Sequence, residues 1–396
     1  MKTHIKNNVH WIGKTDWELR KFHGYEYSTH KGTSYNAYLI QEEKTVIIDT
    51  VWQPFAKEWV AALKTEIDLK KVDFIVANHG ETDHSGALPE LMRELKPGTP
   101  IYCTNNGVKS LKGHHHEEWN LRPVKTGDKV SIGKKELVFI EAPMLHWPDT
   151  MMTYMTGDNI LFSNDVFGQH YATDFHFNDL VDQADLMVEA LKYYANILTP
   201  FSHLVEKKIR EFLSLNLPVD VICTSHGVMW RKNPAQIVEK YLEWAAQKPR
   251  NQITLIYDTM WNGTRRMAEA IARGIENADK TVEVKLFNTA TTDKNDIIAE
   301  VFKSKMIGAG SPTINKGILS SMAAILEVIR GLGFKNKKAF AFGAYGWSGE
   351  SVKMLEEELK KCGFAPACEG VKALWNPDET ALKQCFEFGE QLAKTA

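Results

Sequence analysis

The segment His79-Gly80-Glu81-Thr82-Asp83-His84 constrains this chain more than any other. Four potential metal ligands fall within six residues, directly after the apolar run Phe74-Ile75-Val76-Ala77. Such a run, ending at a ligand-dense turn, reads as a buried strand that delivers its donors to one place. Along an extended chain, alternation projects His79, Glu81 and Asp83 to one side, and His84 joins them as the chain turns. Three other segments repeat the layout. Val138-Phe139-Ile140-Glu141 leads to His146, Ile160-Leu161-Phe162 to Asp165, and Val219-Asp220-Val221-Ile222 to His226. One His or Asp after a strand is usually a turn or capping residue. Four strands that all end this way predict ligands converging on one edge of a sheet.

The donors are His79, His84, His146 and His226 with Glu81, Asp83 and Asp165. That is about twice what a single tetrahedral ion takes, so two ions are expected, with Asp165 the natural bridge. Imidazole and carboxylate without thiolate suit iron, manganese or zinc. A two-metal site of this kind can clamp a substrate for hydrolysis or move electrons, and these seven residues leave both open.

A composition shift follows the helical pattern that ends at Glu243-Trp244-Ala245-Ala246. Gln247-Lys248-Pro249-Arg250-Asn251 reads as a linker, which divides the chain into domains 1–250 and 251–396. Beyond it, the buried-strand run Ile253–Tyr257 enters the loop Asp258–Thr264, and an amphipathic helix with Met267, Ile271 and Ile275 follows. Strand, hydroxyl-rich loop and helix start make an anion site, because free N–H groups and hydroxyls face the ligand. There is no Walker lysine and no Gly-x-Gly-x-x-Gly, so neither a nucleoside triphosphate nor a dinucleotide is indicated. Two later strands, Met306–Gly310 and Ala339–Phe342, open into Ser311-Pro312-Thr313-Ile314-Asn315 and Gly343-Ala344-Tyr345-Gly346-Trp347-Ser348-Gly349. In a doubly wound sheet the three loops meet beyond the strand ends.

The metal motif resembles the His-x-His-x-Asp-His of the metallo-β-lactamase fold, with Glu81 in place of the second His. With a flavodoxin-like second half, the whole chain resembles the flavodiiron proteins (A-type flavoproteins). Met144-Leu145-His146-Trp147-Pro148-Asp149 and Ser225-His226-Gly227 match that family closely, and no ligand position departs from its pattern. The resemblance implies an α/β chain: an N-terminal metallo-β-lactamase-like αββα sandwich and a C-terminal flavodoxin-like doubly wound parallel sheet. It implies two non-haem irons per chain, one held by His79, Glu81, His146 and Asp165. Asp83, His84, Asp165 and His226 would hold the other. A carboxylate is a harder donor than imidazole, so Glu81 favours iron over zinc.

The resemblance also implies FMN. Thr259, Met260, Trp261, Asn262, Gly263 and Thr264 would surround its phosphate, and Ser311, Pro312, Thr313, Ile314 and Asn315 the isoalloxazine ring. Ala344, Tyr345, Gly346, Trp347, Ser348 and Gly349 would complete the ring site, with Trp261 and Trp347 as its aromatic neighbours. His23 and Tyr194 would stand beside the iron pair, able to donate hydrogen bonds or protons, while Trp147, Phe167 and Tyr171 would wall the pocket. The family reduces nitric oxide to nitrous oxide, dioxygen to water, or both. Overall similarity, including Gly113-His114-His115-His116 and Asp158-Asn159, is greatest to nitric-oxide-reducing flavorubredoxin cores. The flavin loops and the iron ligands lie at the ends of two different sheets, so a head-to-tail homodimer or a dimer of dimers is expected.

Composition sets further bounds. The 396 residues are 43% hydrophobic and 25% charged with a formal net charge of −2, typical of a water-soluble fold and giving no reason to expect nucleic acid. No signal-peptide core or membrane-length apolar run occurs, so a cytoplasmic protein is expected. The five cysteines form no Cys-x-x-Cys pair. An internal rubredoxin module is therefore not expected, and electrons should come from an external donor such as rubredoxin or another reductase. His114-His115-His116 reads as a surface turn. Two rivals remain open: a zinc hydrolase fused to a regulatory flavodoxin, and an electron carrier with only the flavodoxin half active.

Overall fold

The computed structural model describes residues 2–395. They form two compact units. The first runs to Tyr193 and resumes over His203–Leu242; the second takes Tyr194–Ser202 and the chain from Glu243 onward. The second unit thus begins before the linker-based boundary at 251 and also claims a short segment from far upstream. The reason is packing. The Tyr194 ring lies against Trp244 and Phe302, its hydroxyl donates to Ser202, and the Asn196 amide donates to the Asn295 carbonyl.

The first unit contains a seven-stranded and a five-stranded sheet. The larger runs in the order Thr3–Lys6, Val9–Trp11, Tyr38–Gln41, Thr45–Ile48, Val72–Val76, Ile101–Thr104, Leu121–Val124. The smaller runs Lys129–Ser131, Glu136–Glu141, Met151–Met155, Ile160–Asn164, Val221–Thr224. Strand alternation explains the layering. Tyr38, Ile40, Val46, Ile48, Phe74 and Val76 join Leu137, Phe139, Met151, Met155, Ile160 and Phe162 in the core between the sheets. Their neighbours Leu39, Ile47 and Ile75 face the other way, onto Trp59, Val60 and Leu63 of the helix Ala56–Glu66. Both faces are buried, so these central strands read as unbroken apolar runs.

This layering corrects one expectation. The ligands do not line one edge of one sheet. Val72–Val76, which leads to His79, belongs to the larger sheet, whereas the strands that lead to His146, Asp165 and His226 belong to the smaller. Donors on one sheet would be spaced by the ~4.8 Å between neighbouring strands; two facing sheets bring them in from both sides. The three consecutive histidines are also not a turn. They close the helix Asn105–His115, with His116 in the left-handed conformation that ends it.

The second unit is a parallel sheet ordered Glu283–Asn288, Arg250–Tyr257, Ser304–Gly310, Lys338–Tyr345. Ala365–Pro366 and Val371–Leu374 both pair with Lys338–Tyr345 at the edge. The first strand in sequence is second in space, so the order reverses beside it, and a crevice opens beyond its carboxyl end. Met267, Ile271 and Ile275 of Gly263–Ala278 face Ile253, Leu255, Phe340 and Phe342. Among the described residues no helix is long and apolar enough to cross a membrane.

Candidate metal centre and flavin pocket

The ligand-dense segment is not extended after His79. Glu81 sits at the start of a single helical turn, Thr82–Ser85, and that turn swings Asp83 and His84 away from His79 and Glu81. Thr50 holds the turn in place: its N–H and hydroxyl both donate to the His84 carbonyl, at 2.8 and 2.7 Å. One six-residue segment therefore serves two centres. A ligand atom from each of His79, Glu81, His146 and Asp165 lies within 4.8 Å of the others, and so do those of Asp83, His84 and His226.

Asp165 joins the two sets. Its Oδ2 lies 3.4 Å from His146 Nε2 and 3.7 Å from His79 Nε2, while its Oδ1 lies 3.1 Å from His84 Nε2 and 3.6 Å from His226 Nε2. Glu81 Oε2 is 3.2 Å from His79 Nε2; Asp83 Oδ2 is 3.1 Å from His226 Nε2. Such separations are edges of polyhedra whose centres lie about 2 Å from each donor. His84 Nε2 and Asp165 Oδ2 are buried within ion-pair distance of opposite charges, yet neither is in hydrogen-bond geometry. Donors aimed at a shared cation behave this way.

The electrostatics agree. Burial disfavours charge on Asp165, but His84 and His146 hold its carboxyl well below the usual range. Burial likewise opposes the His84 imidazolium, which Asp83 and Asp165 raise to about 9. Without metal, each charged group depends on its neighbours; a cation replaces the protons. Around the ligands a further set of contacts fixes their orientation. His79 Nδ1 lies 3.2 Å from Asp149 Oδ1, and Asp149 Oδ2 accepts from the Gly80 N–H at 2.7 Å. A side chain at Gly80 would collide with Ser110 (2.6 Å) and with that carboxylate (2.9 Å). His226 Nδ1 is 2.7 Å from the Ser34 carbonyl, Ser225 Oγ donates to Asp165 Oδ1 at 2.7 Å, and His23 Nε2 is 2.8 Å from Glu81 Oε1.

In the second unit the three loops surround a cavity of about 670 Å³. Thr259, Met260, Trp261, Gly263 and Thr264 line it with Pro312, Thr313, Ile314, Asn315 and Lys316. Ala344, Tyr345, Gly346, Trp347, Ser348, Trp375 and Asn376 complete the wall. Thr259 Oγ1 is buried without a partner, beside a sixteen-residue helix that starts at Gly263 with no side-chain cap. An unpartnered hydroxyl and free N–H groups at a helix start suit a phosphate. At Gly346 a Cβ would stand 2.6 Å from the Trp375 ring, so only glycine allows the wall to close there. Trp261 and Trp347 are 88% and 95% exposed, flat apolar surfaces on the rim.

Residues 33–227 match the family described as ODP family beta lactamase, and residues 255–389 match Flavodoxin. The anaerobic nitric oxide reductase flavorubredoxin of Vibrio vulnificus is 56% identical over 396 residues, all of this chain and 80% of that protein. The rubredoxin oxygen:oxidoreductase of Desulfovibrio gigas is 36% identical with a TM-score of 0.96, covering 100% of this chain and 98% of that one. For the flavodiiron protein of Giardia intestinalis the identity is 34% and the TM-score 0.92, over 100% and 96%. This chain belongs to the flavodiiron protein family. It is accordingly an oxidoreductase whose cofactors are FMN and a non-haem diiron pair. The cage of four imidazoles and three carboxylates, with the orphaned donors at its centre, fits the irons, and the aromatic cavity, free of lining acids and with an anion-binding end, fits the flavin.

The residues that the flavodiiron resemblance implies fall in several places. The structure brings the seven candidate metal ligands together, puts His23 against Glu81 and sets Trp147 edge-on to His79, ring centres 5.4 Å apart. Tyr194 is elsewhere, packed on Trp244. The tyrosine near the ligands is Tyr193, 6.3 Å from the His226 ring, because successive residues on a helix point about 100° apart and only one of the pair can face them. Phe167 packs on Tyr241, and Tyr171 lies under Lys31. Asn262, Ser311 and Gly349 do not line the flavin cavity. Asn262 takes a left-handed turn before the helix, and Ser311 accepts from the Leu319 N–H.

Sequence reasoning missed Asp149, His170 and Phe22 near the metal ligands, and Lys316, Trp375 and Asn376 at the flavin cavity. Asp149, three residues after His146, carried the one usable signal. His170 is buried, its Nδ1 2.9 Å from Thr33 Oγ1, and burial together with His226 keeps its imidazole well below the usual range.

Proposed function

We propose that this chain reduces nitric oxide to nitrous oxide. Two nitric oxide molecules, two electrons and two protons give one nitrous oxide and one water. Electrons would enter through FMN in the 670 Å³ cavity and leave through iron held by His79, Glu81, His146, Asp83, His84 and His226, with Asp165 shared. That shared carboxylate carries the reading, because its two oxygens face two otherwise separate donor sets and would hold two cations side by side. Four protein donors per ion leave positions open for small molecules. When bound, the iron pair would supply electrons for joining two nitric oxide molecules.

The surrounding residues have their own tasks. His23, partly exposed, links solvent to Glu81 and is suited to carry protons inward. Its contact with Glu81 Oε1 keeps that carboxylate turned so that Oε2 faces His79 and His146. Phe22, Trp147 and Tyr193 supply apolar surface that limits water at the ligands. Electrons would reach the flavin from a donor such as rubredoxin or another reductase. We place the protein in the cytoplasm as a head-to-tail homodimer, for which the exposed Trp261 and Trp347 offer apolar contact surface.

Nitric oxide as substrate rests on the flavorubredoxin relatives. The Desulfovibrio gigas protein, named for oxygen, supports dioxygen reduction as a second activity. Anaerobic mixing of the fully reduced protein with limiting nitric oxide should reoxidise flavin and iron and release one nitrous oxide per two nitric oxide consumed. Reoxidation by dioxygen alone would overturn the nitric oxide assignment. Two zincs and no iron in protein grown with adequate iron would overturn the reductase altogether.

A further inference from the structure

We propose that Lys316 raises the reduction potential of the flavin by setting a positive charge against the anionic reduced ring. The proposal rests on FMN occupying the cavity described above. Among the described residues that line that cavity, Lys316 is the one charged side chain, and no acid lines it. A single charge on the wall therefore acts directly on the ring.

The backbone holds Lys316 there deliberately. Ile314 and Gly317 exchange both hydrogen bonds, Ile314 N–H to the Gly317 carbonyl at 3.1 Å and the reverse at 2.7 Å. The two residues between them, Asn315 and Lys316, have φ of 50° and 58°. This tight turn needs positive φ at both central positions. Asn tolerates the left-handed region well; a long side chain such as Lys does so at a cost that Gly or Asn would avoid. Strain kept at a ligand wall, where a cheaper residue would serve the turn, points to a function for the side chain.

The chemistry gives the sign. Oxidised flavin takes up two electrons and one proton, and the resulting hydroquinone, deprotonated at N1, carries one more negative charge on its ring. A nearby ammonium stabilises that form and leaves the neutral oxidised ring unaffected, so the potential rises. Glu350, at the start of the helix Glu350–Lys361, is the opposing charge. Its carboxyl is held low first by Ser348 and its own N–H, then by Lys316 and Lys372. Neutralising Glu350 should act in the opposite direction from neutralising Lys316.

The test is spectroelectrochemical titration of FMN in the full-length protein at low and at high salt, with dissociation constants for oxidised FMN measured in parallel. In Lys316→Gln the preference for reduced over oxidised flavin should fall about three- to tenfold at low salt, a size set by screening at an exposed site. For a two-electron couple tenfold corresponds to about 30 mV. Lys316→Arg should stay within about twofold of the parent by the same field argument, and Glu350→Gln should shift the potential upward. An unchanged potential in Lys316→Gln, or an equal fall in Lys316→Arg, overturns the proposal. A fall in affinity for oxidised and reduced FMN alike would assign Lys316 to the phosphate and also overturn it. Gly346→Leu tests the cavity separately: full FMN content in that variant means the flavin lies elsewhere, whatever Lys316 does.

Discussion

His84 Nε2 stands 3.1 Å from Asp165 Oδ1, with both side chains buried. Asp165 then turns its other oxygen to His146, so one carboxylate serves two cages. Asp165→Asn should lower iron from two per chain to well below one while leaving FMN near its normal content. Inductively coupled plasma analysis beside flavin absorbance checks this. Two full irons in the variant would show that the carboxylate is not shared.

His79 owes its orientation to Asp149. Nδ1 faces Asp149 Oδ1 at 3.2 Å, and the carboxylate is itself anchored by the Gly80 N–H. Asp149→Asn leaves the shape and removes the charge that favours an Nδ1 proton. Iron affinity should weaken by about 10- to 100-fold, the usual effect of losing such a partner. Competition against a calibrated chelator reads it, and unchanged affinity would remove Asp149 from the metal site.

The unpartnered Thr259 hydroxyl predicts a phosphate contact. A hydrogen bond to a charged group contributes about 1.5–3 kcal/mol, so Thr259→Val should weaken FMN binding by about 10- to 100-fold. Quenching of flavin fluorescence on binding to apoprotein gives the dissociation constant. If phosphate-free riboflavin binding weakens as much as FMN binding, the hydroxyl does not serve the phosphate.

Lys337 predicts a pH dependence far from the cofactors. Its Nζ donates to the carbonyls of Phe302 and Ser304 at 2.8 and 2.6 Å, and burial pulls its pKa from 10.5 down to about 7. The unfolded chain therefore binds more protons between those two values. Stability from this group is present above about pH 10.5, declines as pH falls, and is fully lost below about 7. Lys337→Met removes the titration. Relative to the parent, the variant should gain several degrees in apparent Tm at pH 6 compared with pH 9, at about 2–4 °C per kcal/mol. A difference in Tm that does not change with pH would show that Lys337 keeps its proton throughout.

Local sequence was enough to pick out the candidate ligands and the loops that meet at the cavity. His79, Glu81, Asp83 and His84 are adjacent in the chain, and each remaining ligand follows an apolar run, so donor chemistry and strand pattern were both readable without coordinates. The doubly wound second half was legible for the same reason, since strand, loop and helix succeed one another along the chain.

What depended on distant parts of the chain was decided only in three dimensions. The turn at Thr82–Ser85, braced by Thr50, split one ligand cluster between two cages. Pairing of two sheets brought His146, Asp165 and His226 to it from the opposite side. Of the two adjacent tyrosines, the structure turns Tyr193 toward the candidate ligands and packs Tyr194 on Trp244 and Phe302, a choice set by those distant partners. Trp375 and Lys316 reached the flavin cavity from an edge strand and from a turn with two left-handed residues. Spacing along a chain determines which donors a segment offers; the direction each one faces is set by backbone turns and by partners that sequence neighbours do not include.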